Sequence, residues 1–320
     1  MNLSFAPLEG ITTWVYRSLH HEMFPGVSCY YTPFFAPTLD SPLTGRGLED
    51  MRPEHNEGIP LIPQLLTNQA EAFLAASDEL EGLGYEEVNL NLGCPSGTVV
   101  AKRKGSGFLG LPAQLDAFLD EVFTRTRLRV SVKTRIGLES PDEWPALLDI
   151  FSKYPIAELT IHPRIRKDFY REPVRMEAFQ YATEHTSLPL CYNGDLNSAE
   201  DCRDFAARFP TVPQAMVGRG MAANPAMVRE YLGGPALTKG ELREFHDRLT
   251  EAYRALYSGD RPVLGKMKEL WFYMSCLFDG PEKPLKGIRK ARTMDAYRDA
   301  SAALFRDCDL IPGGKFFFHS

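Results

Sequence analysis

Short runs of β-branched and apolar residues return along the chain roughly every 30 residues, and stretches with the spacing of amphipathic helices lie between them. The runs fall at residues 3–6, 27–32, 60–66, 87–92, 129–134, 158–162, 189–192 and 214–217. Eight strands alternating with helices predict an α/β fold of the (β/α)8 TIM-barrel type, with all strands parallel. Helix starts are legible between them. Asn68 stands where an N-cap opens residues 68–81, Pro141 takes the first helical position after Ser140, and Glu200 and Asp201 load the first turn after Ser198.

After Leu232-Gly233-Gly234-Pro235 the strand pattern stops, and residues 238–257, 263–278 and 293–305 carry helical periodicity. Two domains are therefore expected, a barrel over residues 1–235 and a small all-helical domain over 236–320. Phe316-Phe317-Phe318 reads as a docked tail.

Composition narrows the class. Over 320 residues the apolar share is 44% and the charged share 24%, ordinary for a globular protein with a sizeable core. No apolar run approaches the roughly 18 residues of a membrane helix, and the N-terminus lacks a basic stretch followed by an apolar one. A cytoplasmic monomer with no membrane partner is expected. Six cysteines without CxxC spacing fit reduced thiols, and no His/Cys/Asp spacing of metal-ligand type occurs.

Barrels of this class work where their strands end, and polar residues gather there. Pro7-Leu8-Glu9 follows the first run, Gln64 lies in the third, and Asn91 and Cys94 end the fourth. Lys133 and Arg135 end the fifth, His162 and Arg164 the sixth, Asn193-Gly194-Asp195 the seventh and Gly218-Arg219-Gly220 the eighth. The last two loops are where such barrels hold a phosphate on backbone N–H groups, and Arg219 adds a guanidinium fork. A phosphate-bearing cofactor follows. Lys133 would set a positive charge beside a ring that gains electrons, which favours a flavin over nicotinamide alone. Gly105-Ser106-Gly107-Phe108-Leu109-Gly110 spells a dinucleotide motif but follows Lys102-Arg103-Lys104 instead of a strand, so it is rejected as one.

Cys94, in the turn Asn91-Leu92-Gly93-Cys94-Pro95, is placed to meet a ligand. A thiol of ordinary pKa, about 8.5, is mostly protonated at neutral pH and can act as a general acid. A nucleophilic cysteine paired in space with His162 is the rival role.

Together these segments resemble the tRNA-dihydrouridine synthase family, and the resemblance spans the chain. The specific elements are Asn91-Leu92-Gly93-Cys94-Pro95 and Lys133-Thr134-Arg135-Ile136-Gly137, followed by His162-Pro163-Arg164 and the two glycine loops. The resemblance implies FMN at the strand ends, with Pro7, Leu8, Glu9, Gln64, Lys133 and His162 near its ring. Asn193, Gly194, Asp195, Gly218 and Arg219 would surround its phosphate. It further implies NADPH as reductant, hydride transfer to C6 of a uracil, protonation of C5 by Cys94, and Asn91 and Arg135 facing the base. Leu8 stands where methionine is frequent, Pro163 is less familiar, and Ser106-Gly107-Phe108 replaces a more usual Gly-Gly-Ala.

The net charge of −6 runs against a polyanionic partner, but its distribution does not. Lys283, Lys286, Arg289, Lys290 and Arg292 fall within ten residues with no acid among them, and the resemblance makes this helical domain the tRNA-binding one. Arg164, Arg166, Lys167 and Arg171, with Lys102-Arg103-Lys104, would extend a basic surface. Rival readings are a small-molecule pyrimidine oxidoreductase resembling dihydroorotate dehydrogenases, a dihydrouridine synthase acting on rRNA, and a barrel that binds RNA without catalysis.

Overall fold

The computed structural model describes residues 1–318, the Arg46 side chain excepted. The chain divides into two compact units. The first comprises residues 1–7, 29–194 and 210–216, and the second residues 8–28, 195–209 and 217–320. The division does not fall at residue 235. The second unit takes the C-terminal helices together with two stretches interleaved with the strands, residues 8–28 and 195–209.

The strands are β1 (Asn2–Phe5), β2 (Tyr30–Tyr31), β3 (Leu61–Ile62), β4 (Gln64–Leu65), β5 (Glu87–Leu92), β6 (Arg129–Arg135), β7 (Leu159–His162), β8 (Leu190–Tyr192) and β9 (Gln214–Val217). They form one sheet in the order β3-β2-β1-β9-β8-β7-β6-β5-β4. Its two end segments, β3 and β4, are consecutive in the chain and separated only by Pro63, which has no N–H to give the ladder. The sheet thus closes on itself as an eight-stranded parallel barrel, one of whose strands Pro63 interrupts. The expected fold class holds, with the expected second strand of six residues reduced to Tyr30–Tyr31.

Strand alternation sorts side chains between the barrel interior and the helix layer. In β5, Val88, Leu90 and Leu92 pair in register with Val130, Val132 and Thr134 of β6, while Asn89 and Asn91 pair with Ser131 and Lys133. One register row runs Asn91, Lys133, Thr160 and Cys191 across β5 to β8. The row ends at Cys191, which packs in an apolar cluster with Ala6, Tyr31 and Met216.

Helix Ala70–Gly82 starts two residues later than Asn68 would place it, and Gln69 at its N-cap makes no side-chain cap bond. Asn68 instead donates to the carbonyls of Lys102 and Arg103, at 3.2 and 3.1 Å. The other expected starts are as read: Ser140 and Glu143 form a capping box, and the Ser198 hydroxyl accepts from the Asp201 amide.

In the second unit, helices Lys239–Leu256, Asp260–Met274, Glu282–Lys290 and Met294–Asp307 surround a buried polar chain. Trp271 Nε1 donates to Tyr297 Oη at 2.8 Å, which lies 2.6 Å from His246 Nε2, and His246 Nδ1 is 2.8 Å from Asp247. With the indole as an obligate donor, Tyr297 donates to His246 and His246 to Asp247, so each buried polar atom is satisfied. Among the described residues no helix is long and apolar enough to cross a membrane.

Candidate active site

Cys94 lies two residues beyond the end of β5, half-buried. Its main chain is held from two sides. Asn91 Oδ1 accepts from the amides of Gly93 and Cys94 at 3.0 and 2.9 Å, closing a side-chain turn of the kind short amides favour. On the other side, Ser106 donates to the Cys94 carbonyl through both its hydroxyl and its amide. The intervening Gly105 has φ +55°, and a Cβ there would stand 2.9 Å from the Cys94 oxygen. The Gly105–Phe108 turn, whose letters spell a nucleotide loop, is thus a buttress beneath the cysteine.

Behind Cys94 runs a ladder of buried amides. Asn91 Nδ2 donates to Gln64 Oε1 at 2.7 Å, Gln64 Nε2 to Asn89 Oδ1 at 2.8 Å, and Asn89 Nδ2 to the Ser131 hydroxyl at 3.0 Å. Gln64 and Asn89 are fully buried. A complete chain of this sort fixes rotamers that a single amide would leave free.

Asn91 and Arg135, expected to face a substrate base, have their polar atoms engaged by protein. Arg135 is 1% exposed and donates to the carbonyls of Gly93, Ile165 and Phe169 at 3.0, 2.9 and 2.8 Å. Its Cζ sits 5.3 Å from the Tyr170 ring centroid. It ties the cysteine turn to the loop after β7, where Phe169 has φ +48° and Phe169 and Tyr170 are exposed.

His162 ends β7 beside Arg135 in the register. Arg164 Nη1 lies 3.1 Å from His162 Nε2. A guanidinium can only donate, so Nε2 accepts and the imidazole is neutral with its proton on Nδ1. That nitrogen is then taken and cannot receive a thiol proton, which weighs against the Cys94–His162 nucleophile.

Lys133 Nζ donates to Asn193 Oδ1 at 2.7 Å, and Asn193 Nδ2 to the Met216 carbonyl at 2.8 Å. Burial, followed by the like charge of Arg135, brings the Lys133 pKa down to about 8. The opposing influences are only the Cys191 and Cys94 thiols. A half-buried ammonium balanced so weakly suits a ligand that gains negative charge. Gly194 follows, where a Cβ would come within 2.9 Å of Val174.

The remaining expected cofactor residues belong to the second unit, save Pro7. The Leu8 amide donates to the Thr12 hydroxyl at 2.9 Å, Glu9 is exposed, and Lys266 donates to the Gly10 carbonyl at 2.6 Å. Asp195 has φ +44° and accepts from Arg219 Nη2 at 2.9 Å. Gly218 precedes the short helix Arg219–Ala223.

Two basic expectations divide. Lys286, Arg289 and Lys290 of helix Glu282–Lys290 and Arg292 just beyond it are all exposed, while Leu285 and Ile288 of the helix are buried. The cluster near β7 is not a uniform basic surface: Arg164 is 2% exposed, and Lys167 is paired with Glu139.

The family model for dihydrouridine synthase matches residues 4–259. The chain belongs to the dihydrouridine synthase family. With that membership it stands among flavin oxidoreductases. A probable tRNA-dihydrouridine synthase of Staphylococcus aureus is 28% identical over 229 residues, 69% of this chain and 68% of that protein. A tRNA-dihydrouridine(16) synthase of Pseudomonas putida is 25% identical over 236 residues, 70% and 71% of the two chains. Among solved structures, an old yellow enzyme homologue from Zymomonas mobilis covers 74% of this chain and 89% of its own at a TM-score of 0.51, with 11% identity. That likeness shows the barrel fold.

The dihydrouridine synthase segments most visible in the sequence, Asn91 to Pro95 and Lys133 to Gly137, supply most of the bonded residues above. Residue type alone does not mark Ser106, Asn89, Ser131 or Tyr170 as members of the site. Asn89 and Ser131 carry a signal even so, since polar residues alternating with Val88 and Leu90 on a buried strand need partners.

Proposed function

We propose that this chain reduces uridine in tRNA to 5,6-dihydrouridine with FMN as cofactor and NADPH as reductant, in the cytoplasm, and that Cys94 is its general acid. The observation that carries the reading is the doubly held Cys94 turn lying against a register row that contains the half-buried Lys133 ammonium.

Saturating a uracil 5,6 bond requires a hydride at C6 and a proton at C5. FMN, when bound, supplies the hydride. The protein supplies the proton and the placement. Cys94 Sγ gives its proton to C5, and because Asn91 and Ser106 fix the main chain on either side of it, the thiol is presented without a loop rearrangement. Lys133 holds positive charge for the cofactor ring, and Gln64 and His162 are assigned beside it. Pro7, Leu8 and Glu9 are also assigned to the ring; Asn193, Gly194, Asp195, Gly218 and Arg219 to the phosphate. Asn91 and Arg135 act on the base through the turn they hold. The target base must leave its stack, which costs a few kcal/mol and is easiest in an RNA loop. Lys286, Arg289, Lys290 and Arg292 are the side chains assigned to the phosphates of tRNA.

The test is Cys94→Ala. The variant should keep its flavin and still be reduced by NADPH, yet form dihydrouridine at a rate lower by about 10²-fold or more. Loss of flavin instead would make Cys94 structural. Mapping dihydrouridine in RNA from cells with and without the gene identifies the position and separates tRNA from rRNA.

A further inference from the structure

The loop after β7 carries a phenylalanine where the backbone suits a different residue. Phe169 has φ +48° and ψ −100°, a conformation that glycine enters freely and a bulky side chain does not. Burial does not account for the residue, which is 40% exposed. Its main chain is fixed from below: the Phe169 carbonyl accepts from Arg135 Nη2 at 2.8 Å, and the same guanidinium donates to the carbonyl of Gly93, the residue before Cys94. The ring is therefore held towards solvent on a backbone tied to the cysteine turn.

Cations stand around it. The Arg166 guanidinium carbon lies 5.2 Å from the Phe169 ring centroid, which limits the rotamers of both side chains. Lys167 pairs with Glu139, whereas Arg166 and the exposed Arg171 have no carboxylate partner among the described residues. Of the loop's two acids, Asp168 is buried against Arg175 and Glu172 is exposed. Tyr170 is exposed too, but its ring meets Arg135 and, at 5.9 Å, the His162 ring. Among the described residues no aromatic ring packs on Phe169.

We propose that Phe169 is a stacking platform for an unpaired base adjoining the target uridine, with Arg166 and Arg171 beside it for the neighbouring phosphates. The proposal rests on the reading of the chain as a uridine reductase of RNA. A uridine that leaves its stack uncovers the π face of its neighbour, and an exposed aromatic ring can cover that face whatever the base. A ring held rigidly before the RNA arrives loses little freedom on stacking, and the strained backbone is what keeps it outward.

Phe169→Gly in the full chain tests the platform, because glycine relieves the backbone while it removes the ring. The melting temperature should hold or rise. The probe is tRNA purified from cells lacking the gene. Its affinity should fall about five- to hundred-fold, the range for loss of one base–aromatic stack, and Phe169→Trp should keep it. The slope of log affinity against log salt should be unchanged in Phe169→Gly, which loses no phosphate contact, and shallower in Arg171→Gln. Unchanged affinity in Phe169→Gly would overturn the platform. A loss that Phe169→Trp shares, or one matched by a lower melting temperature, would overturn it too, by making the ring part of the loop's packing. If the unaltered chain bound this tRNA through Phe169 yet reduced none of its uridines, the platform would stand and the reductase reading would fail. No binding by the unaltered chain would overturn both.

Discussion

The Ser106 hydroxyl donates to the main-chain carbonyl of Cys94 at 2.8 Å, and the Ser106 amide reaches the same oxygen at 3.2 Å. A serine at a position where related chains were expected to carry a smaller residue thus takes part in holding the Cys94 turn. Ser106→Ala removes the shorter bond and leaves the amide, a net loss of about 1 kcal/mol. Dihydrouridine formation should slow several-fold while FMN binding stays unchanged. Gly105→Ala should be worse, since φ +55° and an oxygen 2.9 Å away both oppose a Cβ. Single-turnover rates for the two variants, compared with flavin affinity, check this; equal rates for Ser106→Ala and the unaltered chain would free the turn from its buttress.

Asn91 does with one amide what Ser106 does from the other side, and its two ends can be separated. Asn91→Asp keeps an acceptor for the Gly93 and Cys94 amides but cannot donate to Gln64. Asn91→Leu loses both and strands two amides and a buried Gln64, at about 1–3 kcal/mol for each unsatisfied group. Asn91→Leu should therefore lower the melting temperature and abolish turnover, while Asn91→Asp should retain the fold. Its added negative charge beside Cys94 should also slow alkylation of the thiol by iodoacetamide, a change that loss of packing alone would not produce.

How much of this is readable in the sequence follows from where each signal lives. The strand at 87–92 has its expected limits because apolar and amide residues alternate through it, whereas the run at 60–66 is split by Pro63 and the run at 27–32 keeps only two paired residues. Apolar content marks a strand's presence, but which residues pair depends on neighbours far along the chain. Asn68 has cap chemistry and spends it on Lys102 and Arg103, a tertiary partner that overrides a local preference. Helix Glu282–Lys290 stands out in the sequence by its charge and not by its helicity, since Pro284 and Gly287 interrupt the pattern. At the site, Cys94 and Lys133 announce their chemistry by residue type. Ser106 and Phe169 do not, because a serine that holds a carbonyl and a phenylalanine that stands against an arginine are ordinary residues until folding places them.

Lys133 should impose a pH dependence of defined sign. Burial and Arg135 depress its pKa to about 8, so the ammonium is present below that pH and is lost as pH rises through it. Reduction of the bound flavin by NADPH should slow across this window, and Lys133→Met should lack the step. Stability runs the other way. Folding penalises the charged form, so the penalty is full below about 8 and is relieved progressively as pH rises from there to the ordinary lysine value of 10.5. Thermal melts of the flavin-free protein should accordingly show stability gained between about pH 8 and pH 10.5 that Lys133→Met does not gain. A step displaced far from 8 in both measurements would mean that other charges govern this lysine.

The basic helix makes a prediction about salt. Lys286, Arg289 and Lys290 are exposed on a helix whose Leu285 and Ile288 are buried, and Arg292 is exposed just beyond its end, so glutamine at all four positions removes charge without disturbing the packed face. If these side chains neutralise RNA phosphates, the variant should bind tRNA more weakly, and the slope of log affinity against log salt should become shallower by roughly one unit for each phosphate no longer neutralised. FMN binding and reduction by NADPH should be unaffected, which separates a loss of RNA from a loss of fold. An unchanged slope would leave the helix a solvated charged face and move the search for the RNA surface to Lys102 and Arg103, exposed beyond the turn that Ser106 supports.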